Sequence, residues 1–235
     1  MGNINFSKIG DSENAVAIVD SRVANRWLDA FGDVDKAIVD SVWKADEFAV
    51  TATGTSPITA SVLPGAVALV TTGANEYDGD NVQLVGSRFK VESGKPFYFG
   101  AKVTLGEAAQ SDFLVGLCGV DTTLTNASGS HAIALGAGGI FFSKLDGVTA
   151  GYFKTITTAT EKNSAAAFTA DTSAHVFEIY CDGSKVSGYV DGVLVGTFGS
   201  DITTEVLTPS FNFRAGSAGA KTMTLHWMRA IQVRA

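Results

Sequence analysis

From about Glu47 onward, apolar and polar residues alternate with a period of two, and Gly and Asp interrupt the alternation at short intervals. That pattern predicts many short strands, each turning one face to a core. FAVTATG and AVALVTTG read as strands on either side of a turn at Pro64-Gly65, and VQLVGSRFKVESGKPFYFGAKVTL reads as two more. In the second of these, Phe97, Phe99, Ala101 and Val103 share one face, with Tyr98, Lys102 and Thr104 on the other. DFLVGLCGV is apolar on both faces, which predicts a central strand covered on both sides. HVFEIYCDGSKVSGYVDGVLVGTF holds two hairpins, turning at Asp182-Gly183 and Asp191-Gly192. Asp-Gly suits the tight type I′ turn, where both central residues need positive φ. Asp146-Gly147 predicts a further turn. The last stretch, KTMTLHWMRAIQVRA, places Met223, Leu225, Trp227, Arg229, Ile231 and Val233 on one side of a closing strand.

The first 45 residues follow a different rule. Val19, Val23, Trp27 and Phe31 recur at every fourth position among polar residues, which predicts an amphipathic helix. Gly32 marks its end, and a second helical stretch runs from about Val34 to Trp43. The expected organisation is a helical N-terminal arm over 1–45, then a mainly β unit over 46–235, built as an antiparallel two-sheet jelly-roll sandwich. The apolar face of the arm, Val23, Trp27, Leu28 and Phe31, with Trp43, needs burial against the sandwich or a partner, so these are the candidate partner-binding residues.

Composition narrows the function classes. The chain has 235 residues, 46% hydrophobic, with a formal net charge of −7. The acidic balance and the lack of a Lys/Arg cluster argue against nucleic acid and anionic membranes. No apolar run is long enough to span a bilayer, and the start of the chain lacks the pattern of a secretory signal. Synthesis in a cytoplasm is the expectation. Cys118 and Cys181 fall inside apolar strands and read as buried, reduced thiols.

The chemistry in the sequence is sparse. A glycosidase needs two carboxylates converging on one groove. The nearest pair is Glu178 with Asp182, and Asp182 opens a turn. Glu76, Asp78, Asp80 and Asn81 resemble part of a calcium loop but lack the downstream Glu. His131, His175 and His226 are far apart and have no ligand partner at metal spacing. The expectation is therefore a non-enzyme with no cofactor and no metal. Tyr98, Tyr152 and Tyr189 are candidate glycan-facing aromatics, with Phe153 and Tyr180 beside them in sequence.

Three passages carry a resemblance: PFYFGAKVTL, the hairpins FEIYCDGSKVSGYVDGVLVGTF, and TPSFNFRAGSAGAKTMTLHWMRAIQV. Together, from about Phe97 to Val233, they resemble a concanavalin A-like or laminin-G-like jelly roll. With TATGTSPITASVLPGAVALVTTGANEYDGDNVQL added, the chain is similar to jelly-roll proteins of tailed bacteriophages, several of which are head decoration (cement) proteins. That resemblance implies a virion protein on the outer capsid surface, made in the host cytoplasm. It would act as a homo-oligomer, with a trimer expected, and bridge subunits of the major capsid protein. The alternative it leaves open is a carbohydrate-binding module or adhesin domain that recognises host-surface glycans.

Overall fold

The structure is a computed structural model that describes residues 48–56, 58–60, 68–86, 89–126, 136, 138–158 and 160–232. The arm residues Val23, Trp27, Leu28, Phe31 and Trp43 lie outside the described residues, as does the turn at Pro64-Gly65.

Fourteen strands occur among the described residues: β1 (Phe48–Thr53), β2 (Ile58–Ala60), β3 (Ala68–Thr71), β4 (Gly79–Leu84), β5 (Phe97–Leu105), β6 (Ser111–Cys118), β7 (Gly139–Lys144), β8 (Ala150–Ile156), β9 (Glu161–Thr169), β10 (Ala174–Cys181), β11 (Val186–Val190), β12 (Val193–Phe198), β13 (Thr208–Ala215) and β14 (Thr222–Gln232). They form two antiparallel seven-stranded sheets. The first runs β1-β4-β13-β6-β7-β8-β9 and the second β12-β11-β10-β5-β14-β3-β2. The expected two-sheet sandwich is therefore present. β2 and β3, the described strands on either side of Pro64-Gly65 in sequence, pair antiparallel in the second sheet, while β1 lies in the first, so the chain crosses the sandwich between β1 and β2.

The core lies between the sheets, and alternation in the strands builds it. Phe97, Phe99, Ala101 and Val103 are all buried, as the pattern of β5 predicts. Phe177 of the second sheet meets Phe113, Phe142 and Phe168 of the first at centroid distances of 5.3, 5.3 and 4.9 Å. β6 is buried along its whole length, so its double-sided apolar pattern is explained. Asp191 and Gly192 have φ of 50° and 78°, the left-handed pair that a type I′ hairpin requires. Cys118 and Cys181 are buried and free.

β14 departs from the expected alternation. Leu225 pairs with Val103, but Trp227 pairs with Lys102, so His226 is an extra residue in a bulge. The bulge reverses the facing of everything after it. Met223, Leu225, Met228 and Ala230 belong to the core, while Trp227, Arg229 and Ile231 turn to the outer face with Lys102 and Tyr98.

Candidate functional site

A sandwich offers two outer faces, and here they differ in kind. On the first sheet, residues of neighbouring strands stand in register across the outer face. One row is Thr51, Asn81, Asn212, Leu114, Ser143 and Tyr152. The next contains Gln83, Ser210, Gly116, Phe141 and Lys154. Most of these side chains are polar, yet Asn81, Gln83, Ser210, Asn212 and Ser143 are all buried. The segment after β6 accounts for much of this. Gln83 Nε2 donates to Gly119 O and to Ser210 Oγ, each at 2.9 Å, and the Asp121 amide donates to Gln83 Oε1 at 2.8 Å. Asn81 Nδ2 donates to Asp121 O at 2.8 Å, and Thr125 Oγ1 donates to Asn212 Oδ1 at 2.7 Å. Leu124 then packs with Leu114, Cys118, Phe141 and Ile156 in a second small core on this outer face. The Gln83, Ser210 and Asn212 side chains are thus committed to the protein's own chain, while Asn81 Oδ1 and Ser143 Oγ are buried with no hydrogen bond among the described residues.

The second sheet presents a different surface. At its centre is Gly100, paired with Glu178 on one side and Arg229 on the other. A Cβ at position 100 would lie 2.4 Å from Tyr98 Oη and 3.0 Å from a Trp227 ring carbon, so glycine is what lets both rings lean in. Tyr98 Oη donates to Glu178 Oε1 at 2.6 Å. The Arg229 guanidinium stacks on the Trp227 ring at 4.6 Å. Burial raises the Glu178 carboxyl above its ordinary range, with the Tyr98 hydrogen bond pulling the other way. Burial also pushes the Tyr98 phenol up, reinforced by the charge of Glu178. Tyr180 pairs with Tyr98, and Tyr189 with Glu178, so both tyrosines share this face. Tyr180, Tyr189, Trp227 and Lys102 are half-buried, and Leu194 opposite Tyr189 is exposed.

The candidate aromatics are thereby divided. Tyr98 and Tyr189 stand on the outer face of the second sheet and Tyr152 on that of the first, where Lys154 Nζ sits 5.8 Å from its ring centroid. Tyr98 is buried at 7% exposure, so it supports the surface as a hydrogen-bond donor and does not offer a ring to solvent. Phe153 is fully buried in the core. Sequence reasoning missed Trp227 and Arg229 because it carried the β14 alternation straight through His226. The signal was present: straight alternation put a charged Arg229 on the same side as Met223 and Leu225, where Met228 and Ala230 are better suited.

The remaining chemical candidates have local partners. Asp182 accepts from the amides of Ser184 and Lys185, each at 2.8 Å, and caps its own turn. Asp78 accepts from the Asn75 amide at 3.0 Å. Asp80 is fully buried, and no hydrogen bond to its carboxylate oxygens is formed among the described residues. Burial pushes it up to about 6, against the pull of Ser56 and Arg214. His175 stands between Asp191, 2.7 Å from Nδ1, and Asp171, 3.1 Å from Nε2. His226 Nε2 is 2.9 Å from Thr104 Oγ1, and His131 lies outside the described residues. Among the described residues no group of three or more His, Cys, Asp or Glu is arranged to hold a metal ion. None of the described strands carries two carboxylates.

No known protein-family profile matches the chain, and no curated protein matches it either. Solved structures do. A β-glucanase of Bacillus licheniformis superposes with a TM-score of 0.57 at 13% identity, over 80% of this chain and 93% of that one. The Crh5 transglycosylase in complex with NAG gives 0.58 at 14%, over 85% and 84%. A protein of unknown function from Shewanella oneidensis gives 0.54 at 10%, over 86% and 87%. The described sandwich therefore has the concanavalin A-like fold, which carbohydrate-active enzymes share.

Proposed function

We propose that this chain is a non-catalytic carbohydrate-binding module or adhesin domain, and that it recognises glycans with the outer face of its second sheet. The observation that carries this reading is the constellation around Gly100. There the half-buried ring of Trp227 is braced by Arg229, and Tyr180 and Tyr189 lie on the same face above the buried Tyr98–Glu178 pair. Aromatic faces stack on the apolar side of a sugar ring, while flanking charged groups such as Lys102 meet its hydroxyls. The fold leaves function to the site. Neighbours that include a β-glucanase and a transglycosylase solved with NAG keep a glycan as the ligand class. The non-catalytic half of the reading is supported by Glu178, the one carboxylate on the described strands of this sheet, which is buried and tied to Tyr98. A glycan array followed by affinity electrophoresis tests the proposal. Wild-type protein binds, Trp227→Ala and Tyr189→Ala each weaken binding about tenfold or more, and no reducing ends are released. Binding untouched by both substitutions, or turnover of the bound glycan, contradicts it.

A second reading, a capsid decoration protein, is favoured by the closure of the first sheet's outer face, which leaves a rigid body suited to display. In that reading a trimer sits on the outer surface of the virion, and the 1–45 arm engages the major capsid protein. Cosedimentation with capsids, lost on deletion of residues 1–45, supports it. Glycan binding without capsid association removes it.

A further inference from the structure

Asp80 is fully buried, and neither of its carboxylate oxygens accepts a hydrogen bond among the described residues. Buried polar groups are ordinarily paired, so such a carboxylate calls for a partner. It stands on the inward side of β4 with Val82 and Leu84, near the start of the strand. Three segments meet there: 54–56, which begin the crossover from the first sheet to the second, 71–73 and 78–80. Ser56 Oγ donates to Thr71 O at 3.2 Å. A Cβ at Gly54 would lie 1.9 Å from Asp78 Oδ1, and one at Gly73 would lie 2.1 Å from Asp78 Oδ2 and 2.7 Å from Thr55 O. The Asp78 carboxylate is thus wedged between glycines of two segments. The Ala215 amide donates to Asp78 O at 2.8 Å, which carries the β4–β13 ladder on to residue 78. Asp78 and Asp80, two residues apart, therefore share the inward face.

The acceptors left over are all oxygens. The hydrogen bonds of the Asp78 carboxylate, from the Asn75 amide and side chain, both fall on Oδ2, which leaves Oδ1. Ser56 and Arg214 each pull the Asp80 carboxyl down, so the Ser56 hydroxyl stands beside it. Arg214 is not the missing partner, because its Nη1 donates to Thr53 Oγ1 at 3.1 Å and Tyr77 O at 3.4 Å. Two carboxylates with hydroxyl and carbonyl oxygens suit a hard divalent cation. Calcium completes such a set with water and needs no third acidic side chain. The gap is reachable, since Ala52, opposite Asp80 on β1, is exposed, as are Gly54 and Thr55.

We propose that Asp80, with Asp78 Oδ1, Ser56 Oγ and the Thr71 carbonyl, holds a calcium ion that locks the crossover between the sheets. The inference is independent of glycan binding, which uses the outer face of the second sheet. Calorimetric titration of the chelator-treated full-length protein with calcium chloride tests it, at about pH 7.5, where the carboxylates are ionised. One saturable site is expected, and saturating calcium raises the Tm. Asp80→Asn weakens binding at least about tenfold and abolishes the rise in Tm, and Asp78→Asn weakens binding in the same direction. Should Asp80→Asn fail to fold, as near-UV circular dichroism would reveal, Ser56→Ala removes one ligand oxygen and lowers the affinity at least about threefold. A wild type that neither binds calcium saturably nor gains in Tm overturns the proposal. Unchanged affinity in a folded Asp80→Asn, or in Ser56→Ala, overturns it as well.

Discussion

The outer faces of the two sheets show how the same kind of residue ends in opposite roles. Both carry polar side chains at the centre of a seven-stranded sheet. On the first, Asn81, Gln83 and Asn212 are bound to Gly119, Asp121 and Thr125, and Leu124 packs in a small core with Leu114, Cys118, Phe141 and Ile156 on the same face. On the second, Glu178 and Tyr98 bond to each other, and the aromatic residues around them keep part of their surface in solvent. Polar content alone therefore does not locate a recognition surface. What distinguishes the faces is whether the hydrogen-bonding groups are spent on the protein's own loop or used to brace side chains that stay accessible.

Removing the Gln83 side chain is the strongest way to break this contrast. Gln83→Ala deletes the bonds to Gly119, Ser210 and Asp121 and strands their buried partners, a loss of about 3 kcal/mol. Urea denaturation measures it, and faster exchange of the 119–126 amides would place the loosening in the loop. A loss under about 0.5 kcal/mol would mean that the first face is not held shut as described.

Asp80, inward-facing on the first sheet, gives a pH-dependent counterpart. Its carboxyl is raised from 3.8 to about 6, so the native state holds the proton more tightly than the unfolded chain. This contribution is fully present below about pH 4 and is lost as pH rises through about 6, a decline of order 2 kcal/mol. In Asp80→Asn the fall between about pH 4 and pH 7 should largely vanish, as thermal melts across that range will show.

Tyr98→Phe sharpens the other side of the comparison. It removes the donor to Glu178 Oε1 and leaves the carboxylate buried without it, at about 1–2 kcal/mol. The Glu178 carboxyl then moves further up, which side-chain carbonyl NMR can follow. An unchanged Glu178 titration would show that Tyr98 does not brace the face.

The smallest effect belongs to His175. Burial works against its charged form, but Asp191 and Asp171 outweigh it and hold the imidazole above its ordinary value. The sign follows: the contribution is present below the unfolded value of about 6.5 and fades as pH rises through the folded one. As a partly exposed pair it is worth less than about 1 kcal/mol. His175→Gln should flatten that small decline, and an unaltered pH profile would contradict the assignment.

Much of the fold was legible in the sequence because its signals are local. The inward set of β5, the double-sided β6 and the Asp191-Gly192 hairpin each follow from a few consecutive residues. What was not legible depends on register between distant strands. The bulge at His226 is defined by how Leu225 and Trp227 pair with β5, and a run with apolar residues on both sides conceals it. The second small core under Leu124 was hidden for the same reason, since Leu114, Phe141 and Ile156 meet only once three strands are aligned. Tyr98 was read as a glycan-facing ring because alternation gives the face of a side chain and not what leans over it.

The most direct test of the central claim is an NMR titration of the labelled protein with a glycan selected on the array, following the Trp227 indole and the side-chain amides of Asn81, Gln83 and Asn212 in one spectrum. The account predicts saturable shifts at the Trp227 indole and at the Tyr189 backbone, with the three amides unmoved. Shifts at the amides with a silent Trp227 would place recognition on the first sheet and contradict it.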